Sequence, residues 1–290
     1  MRNVGTYFEM PAPFNLFHYT GIGSLIGMAR SKSIWASNAY YLNDSREVIH
    51  ACDILTKTIE IRIAADSADP SEIDFLIQLK SWAQSFKKTH YGIFIFSLSE
   101  KSSLLSQWRS YTPHGKGVSV GFSPELLSKL AQSSRSVLAK CIYDASEQRD
   151  VIEGLIDLIL KTFRNEQSSI DLSRNHPSER YFSFLEVYRE DFLRVLCLIK
   201  HSAFSEEAEW RIISPYFAGN EAKQIRFREG ASMLVPYIEI PLPEIRQPFA
   251  EIVLGPSQYQ NLSMSALSKY SQTENLTSLV RNCGIPFRKW

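Results

Sequence analysis

The hydrophobic pattern alternates between helical and extended segments over most of the chain and becomes mainly extended in the last third. Apolar residues that recur every three or four positions predict helices over 21–31, 41–65, 71–90, 102–111, 123–134, 146–165 and 180–199. Apolar, β-branched and aromatic runs predict strands over 15–20, 33–39, 91–100, 116–123, 137–144, 209–214, 225–229, 232–242, 249–257 and 285–289. The arrangement predicts an α+β fold around a mixed or antiparallel sheet, with helices inserted between the first strands.

The chain of 290 residues contains no internal repeat and no low-complexity linker, so we expect a single domain over 1–290. Hydrophobic residues make up 44% and charged residues 22%, as in an ordinary soluble protein. The formal net charge of +1 gives no global field that would attract nucleic acid or an anionic membrane. The chain has no run of about 18 apolar residues and no apolar leader, which predicts a cytoplasmic protein without a membrane partner.

The composition also limits the cofactors. The four cysteines are widely scattered, which is typical of reduced thiols, and neither they nor the six histidines show a metal-ligand spacing. We therefore expect no metal. No Gly-rich loop follows a predicted strand, so neither a dinucleotide-binding Rossmann fingerprint nor a P-loop is present.

Two short polar segments fall at predicted strand ends. "FHYT" brings His18, Tyr19 and Thr20 together, and "FSLSE" places Ser97 and Ser99 on one face because side chains alternate along a strand. Taken alone, each segment is better explained structurally. A histidine of this kind usually only needs hydrogen-bond partners, and hydroxyls at a strand end usually face solvent.

A third polar segment, "EEAEWRIISP", places carboxylates directly before an apolar run. Glu207 and Glu209 project to the same side if the segment is extended and diverge if it is helical. Surface charge is the simpler explanation when the segment is taken alone. In "LSQWRSY", Trp108 and Tyr111 are three residues apart and share one face of a predicted helical turn, where core packing is again the simpler explanation.

The chain resembles a bacterial family catalogued as domain of unknown function 2971. The matching segments are "FHYTGIGSLIGMARSKSIWASNAYYLNDSRE", "IFSLSEKSSLLSQWRSYTPHGKGVSVGF", "LIKHSAFSEEAEWRII", "VPYIEIPL" and "EIVLGPS". A more distant resemblance is to ADP-ribosyltransferases, which carry three motifs in order: a strand-ending histidine or arginine, often in His-x-Thr; a strand with Ser-x-Ser or a tyrosine; and a glutamate, often in Glu-x-Glu. Here "HYT", "SLS" and "EAE" occur in that order.

This resemblance implies a split β-sandwich of the ADP-ribosyltransferase type with inserted helices, and NAD as the substrate. It assigns Glu209 to the ribose, where a carboxylate stabilises the positive charge that develops when nicotinamide leaves. Glu207 would face the incoming nucleophile as a general base or positioning group. The remaining assignments are that His18 and Thr20 hold the dinucleotide, that Ser97 or Ser99 hydrogen-bonds Glu209, and that Tyr19, Trp108 or Tyr111 stacks on nicotinamide.

Neighbouring charged residues have structural and functional explanations. Lys200, His201 and Arg211 either contact pyrophosphate or, as we favour, are cations near a helix C-terminus. Asp44, three residues before Glu47, predicts a helix-capping box.

The resemblance leaves the acceptor open. The main hypothesis is transfer of ADP-ribose to a macromolecule, either protein or nucleic acid, as in bacterial toxins or antiphage effectors. The alternatives are an NAD glycohydrolase, in which water is the acceptor, and a non-enzymatic module that binds a nucleotide or a partner. A nuclease is a weaker alternative because no carboxylate cluster has the spacing for two metals.

Overall fold

A computed structural model describes residues 4–8, 11–42, 47–65, 69–113, 117–166, 181–230 and 232–286. The α-helices are α1 Ile22–Ser31, α2 Glu47–Ile63, α3 Pro70–Ser85, α4 Leu105–Tyr111, α5 Pro124–Ser133, α6 Ala145–Glu166, α7 Phe182–Val187, α8 Arg189–Leu196 and α9 Gln260–Thr273. The strands are β1 Leu16–Gly21, β2 Ser33–Asn38, β3 Phe94–Ser99, β4 Gly117–Phe122, β5 Val137–Lys140, β6 Glu209–Ile213, β7 Arg226–Glu229, β8 Leu234–Pro241, β9 Glu251–Leu254 and β10 Val280–Asn282. Short 3-10 helices span Val4–Tyr7, Ala39–Tyr41, Ser202–Glu207 and Gly219–Gln224.

Ten strands of the described residues form one sheet with the order β10-β9-β4-β1-β3-β2-β8-β7. Strand β6 pairs with the other edge of β3, and β5 pairs with β6. The β9–β10 pairing is parallel and the other strand pairings are antiparallel. The predicted α+β class with a mixed sheet is therefore confirmed.

One edge of β3 is shared by two strands that diverge from each other. Strand β2 pairs with Phe94 and Ile95 at the start of β3, whereas β1 pairs with Ser99 at its end. Between these pairings the side chain of His18 reaches the carbonyl of Ser97. The divergence opens a gap in the sheet beside the middle of β3, and we call this gap the fork.

Two large cores pack against the two faces of β3 and β6. Ile95 and Ile213 point toward the helical layer, which includes α2, α3, α6 and α8. Phe96 and Ile212 point into a second core that receives side chains from α1, α5 and α9. Because side chains alternate along each strand, the polar residues at the strand ends are brought to defined faces beside these cores.

The structure corrects three predicted elements. Helix α9 was not predicted because it buries only two side chains, which leaves a weak apolar periodicity. The helix predicted over 180–199 is divided at Tyr188, whose backbone leaves helical geometry. The last strand is β10, whose position is determined by pairing with β9, whereas 285–286 is not extended into a strand and 287–289 lies outside the described residues.

Within the described part of the chain, no helix is both long enough and apolar enough to span a membrane.

Candidate active site

Residues of the three polar motifs line one small cavity of about 50 Å³ at the fork. Its walls are Phe17, His18, Tyr19, Ser97, Leu98, Ser99, Gln107, Tyr111, Glu207 and Glu209. The motifs are far apart in the chain, but β3 lies between β1 and β6 and pairing brings their ends together. The structure thus brings seven of the nine predicted residues to this cavity, all except Thr20 and Trp108, and their catalytic roles remain predictions.

A larger cleft of about 680 Å³ adjoins the small cavity, and His18, Tyr19 and Tyr111 belong to the walls of both. The cleft lies between α1 and the strands of the fork, with Trp35 and Arg228 on its far wall. Thr20, Gly21 and residues of α1 and α4 complete the lining. Among its described lining residues there is one arginine and no carboxylate, so the cleft favours an anionic ligand.

His18 is held in a defined orientation at the junction of the two cavities. Its ring stacks on Phe96 with the centroids 4.3 Å apart, and its Nδ1 lies 2.9 Å from the carbonyl oxygen of Ser97. Because a carbonyl can only accept, Nδ1 carries the proton. Burial lowers the pKa of His18 to about 4, so the ring is neutral near pH 7 and its Nε2 is a hydrogen-bond acceptor.

Acidification is expected to destabilise the protein through His18. Its pKa is about 4 in the folded protein and 6.5 for the free side chain, so between these values the unfolded chain binds more protons than the folded chain. Stability therefore falls as pH decreases through this window, by about 2 kcal/mol from near pH 7 to near pH 5. Urea unfolding at both pH values measures the loss.

His18→Gln should remove most of this pH dependence because glutamine does not titrate. His201→Gln, which changes an exposed histidine, is the control. An unchanged pH dependence in His18→Gln would contradict the assignment.

A buried ionic cluster lies behind the small cavity and consists of Glu47, Lys200, Glu207, Glu209 and Arg211. Arg211 donates to both carboxylate oxygens of Glu209, over 2.8 and 3.0 Å, and to Glu47 over 2.6 Å. Lys200 contacts Glu209, lies 2.5 Å from Glu207 Oε2 and lies 3.3 Å from Glu47. Arg211 is only 1% exposed and Lys200 only 3%. The cluster thus contains three carboxylates and two cations.

Glu209 is a carboxylate anion at neutral pH. Burial alone would raise the pKa of Glu209, but the charges of Arg211 and Lys200 outweigh burial and lower it to about 2. The carboxylates around Lys200 raise the pKa of that ammonium above its usual range, although burial opposes them. The cluster therefore keeps one unbalanced negative charge beside the small cavity, where an electrostatic role suits Glu209 better than proton transfer.

The backbone between the two glutamates adopts a strained conformation. Glu207 ends a 3-10 helix, Glu209 begins β6, and Ala208 between them has a left-handed φ of 43°. A residue with a Cβ rarely adopts this conformation, and such strain is concentrated at functional sites. The Ala208 turn lets both carboxylates reach Lys200, although the segment is neither a continuous helix nor a continuous strand.

The two serines of the "SLS" motif, Ser97 and Ser99, both take part in hydrogen bonds that involve backbone carbonyl groups. Ser99 Oγ donates to the carbonyl oxygen of Glu207 over 2.6 Å, and Ser97 contributes its carbonyl to His18. The predicted hydrogen bond from a serine to the Glu209 carboxylate is therefore wrong, because Arg211 and Lys200 already bind both of its oxygens. Ser99 instead fixes the position of the strained turn.

The aromatic candidates have different positions. Tyr111 donates to Glu207 Oε1 over 3.2 Å, and burial followed by the charge of Glu207 raises the pKa of its phenol, so it remains a donor. Tyr19 also borders both cavities, but its hydroxyl is bound to the backbone of Lys101. Trp108 is buried against Tyr19 in a small core and borders neither cavity, which favours the packing explanation for this residue.

The sequence did not reveal the roles of Glu47, Lys200 and Arg211. Arg211 lies on the same face as Glu209, inside the helical layer, and donates to the carbonyl oxygen of Cys197, the C-cap of α8, over 2.7 Å. The favoured role as a cation near a helix C-terminus is therefore confirmed, and the alternative contact with pyrophosphate is not formed by this buried side chain. Glu47 binds Arg211 in addition to opening α2, while its predicted capping partner Asp44 lies outside the described residues. His201 is exposed, and its Nδ1 accepts from the backbone of Ala203.

Arg228 is a cleft residue that sequence reasoning did not select. The alternation in "RFRE" was its only signal, because it places Arg226 and Arg228 on one face of a strand. No group of three or more His, Cys, Asp or Glu side chains among the described residues is arranged to hold a metal ion.

Comparison with known proteins adds one match. A family model described as a protein of unknown function (DUF2971) matches residues 107–212. The matched stretch contains Tyr111, Lys200 and both candidate glutamates, which supports the resemblance to that family over this part of the chain. Comparisons with the curated proteins and with the solved structures gave no match.

Proposed function

We propose that this protein is an NAD-consuming ADP-ribosyltransferase with a split β-sandwich of that type. The observation that carries the proposal is the convergence of His18, Ser99 and Glu209 around one small cavity at the fork. The strand order supports it, since the strand with the Ser-x-Ser motif lies between the strands that carry the histidine and the glutamate. The divergence of β1 and β2 beside β3, which opens a gap within the single sheet, also supports the proposed architecture.

The volume and lining of the adjoining cleft support NAD as the proposed ligand. Its volume lies within the range of about 300–1,000 Å³ that is usual for small-molecule sites. Arg228 offers a guanidinium to a phosphate group, and Trp35, which is 40% exposed, offers a ring face to a base. The neutral His18 offers Nε2 to a ribose hydroxyl.

The side chains around the small cavity suit cleavage of the bond between nicotinamide and ribose. Glu209 remains ionised and is held in place, so its charge faces the developing positive charge without a reorganisation step. Glu207, which is fixed by Lys200 and Tyr111, is the carboxylate for the incoming nucleophile. A macromolecular acceptor, in a toxin or antiphage setting, is part of the proposal.

The proposal is tested by incubating the purified protein with NAD labelled in its adenosine moiety, with and without cell lysate. We expect nicotinamide release together with transfer of label to protein or nucleic acid. Release with free ADP-ribose and no labelled acceptor would indicate a glycohydrolase. Binding without release would indicate a non-enzymatic module, and the absence of both would reject NAD as the substrate.

Arg228→Ala is expected to weaken NAD binding about tenfold or more, because hydrogen bonds to charged groups contribute about 1.5–3 kcal/mol. Titration calorimetry with NAD measures the change. Arg226→Ala is the matched control, since Arg226 lies on the same strand and face but pairs with Glu239 and is not part of the cleft wall. Equal effects of the two substitutions would argue against a phosphate contact at Arg228.

A further inference from the structure

A second cavity of about 450 Å³ lies behind the strands that form one wall of the cleft. Strand alternation gives this wall two functional faces. Ser37 and Arg228 point into the cleft, whereas Asn38 and Phe227 line the second cavity. The second cavity shares no described lining residue with the small cavity and has no role in the proposed NAD chemistry.

Aromatic rings form most of the lining of the second cavity. The rings include those of Tyr41, His90, Tyr91, Tyr216, Phe217 and Phe227. Phe227 is 62% exposed, so its ring is accessible at the rim. Ring faces of this kind bind planar groups by stacking.

A cation is fixed in this wall. The guanidinium carbon of Arg189 lies 4.7 Å from the ring centroid of Tyr91 and 5.3 Å from that of Tyr216. Arg189 also donates to the hydroxyl of Tyr216 over 3.1 Å and pairs with Glu186. Its buried Nε–H has no acceptor among the described residues. The guanidinium is held in a fixed position at the cavity wall by Glu186, Tyr91 and Tyr216.

The described lining contains one arginine, Arg189, and no aspartate or glutamate. Glu186, which pairs with Arg189, lies outside the lining. The cavity therefore presents no carboxylate of its described lining to a ligand, which leaves room for an anionic group near the guanidinium of Arg189.

The walls are held together by backbone contacts. Gly92 and Phe217 form an isolated β-bridge, in which the Phe217 N–H donates to the Gly92 carbonyl over 2.7 Å. A Cβ at Gly92 would lie 2.4 Å from the Phe217 carbonyl oxygen, so the approach requires glycine. The segments that carry Tyr91 and Tyr216 are therefore joined before any ligand binds, which lowers the entropy lost on binding.

We propose that this second cavity binds a planar aromatic ligand that carries a negatively charged group and has the size of a mononucleotide. Its volume lies in the usual range for small-molecule sites. The rings supply stacking for the planar part, and Arg189 supplies the partner for the anionic part. Arg228 lies on β7, and the site lies on the opposite face of that strand. It is therefore separate from the proposed NAD cleft.

The test is titration calorimetry with adenosine monophosphate, which combines a planar base with one phosphate group. We expect binding to the wild-type protein and a loss of about tenfold or more in Phe227→Ala, since stacking contributes about 1–3 kcal/mol per base. Phe182→Ala, which removes another exposed phenylalanine that is not part of the cavity lining, should bind as the wild type does. Adenosine alone and inorganic phosphate alone should each bind more weakly than the nucleotide.

Arg228→Ala separates the two sites because adenosine monophosphate can also enter the cleft. Unchanged nucleotide binding in Arg228→Ala supports the second cavity. The absence of binding in the wild type would overturn the proposal, and so would a loss in Arg228→Ala with no loss in Phe227→Ala. These outcomes do not depend on NAD cleavage, so the site stands or fails independently of the proposed function.

Discussion

Replacing Glu209 with glutamine is expected to lower the rate of nicotinamide release by about 10²–10³-fold. The substitution removes the ionised carboxylate from the wall of the small cavity and leaves a neutral side chain of the same size. Glutamine retains one oxygen that can accept from Arg211 or Lys200. The ionic cluster also becomes balanced, with two carboxylates against two cations, so the variant should remain folded at the assay temperature although it is less stable than the wild type. Initial rates of nicotinamide release and thermal unfolding of the same samples provide the measurement.

Glu207→Gln is the matched control because it removes the same charge from the same cluster. If Glu207 positions the nucleophile, its variant should lose label transfer more strongly than nicotinamide release. Glu209→Gln should lose both equally. Unchanged turnover in Glu209→Gln would remove the proposed role of this carboxylate, and equal losses in both variants would point to the charge of the cluster alone.

Arg211→Met is expected to destabilise the fold by about 3–5 kcal/mol, which is the usual loss when one partner of a buried ion pair is removed. Arg211 binds both oxygens of Glu209 and one of Glu47 at 1% exposure. Without it, Lys200 alone opposes three buried carboxylates. Urea denaturation, analysed by linear extrapolation, measures the change in the free energy of unfolding.

Arg164→Met is the control for removal of an arginine from an ion pair at the surface. Arg164 binds both oxygens of Glu72 but its side chain is 60% exposed, so we expect a loss of less than about 1 kcal/mol. Adding Glu47→Gln to Arg211→Met should recover part of the stability, because it removes one unpaired charge. Purely additive effects would show that the two side chains are not energetically coupled.

Local patterns were enough to predict the strands that carry the site. The run "IFIFSLS" and the run "WRII" are dense in apolar and β-branched residues, and both are central strands. The order of the three motifs then led to residues that meet at one cavity. Helix α9 was not predicted because only two of its side chains are buried, so its apolar residues show little helical periodicity.

The ionic cluster could not be predicted from local sequence, because its partners come from separate elements. Glu47 has a sufficient local explanation as a helix-capping residue, and nothing near it indicates Arg211. Trp108 and Tyr111 show that local sequence is insufficient in a second case. They share one face of a helical turn, but Trp108 is buried in a core and Tyr111 lies beside Glu207. Tertiary contacts decide both cases.

The pairing of β3 with both β1 and β6 has a consequence for synthesis of the protein. These strands are far apart in sequence, so the contacts that form the small cavity have a high contact order, and such contacts form slowly. A nascent chain carries His18 and Ser99 long before it carries Glu209. Under the proposed function, the small cavity is therefore complete only once β6 has been synthesised and has paired with β3.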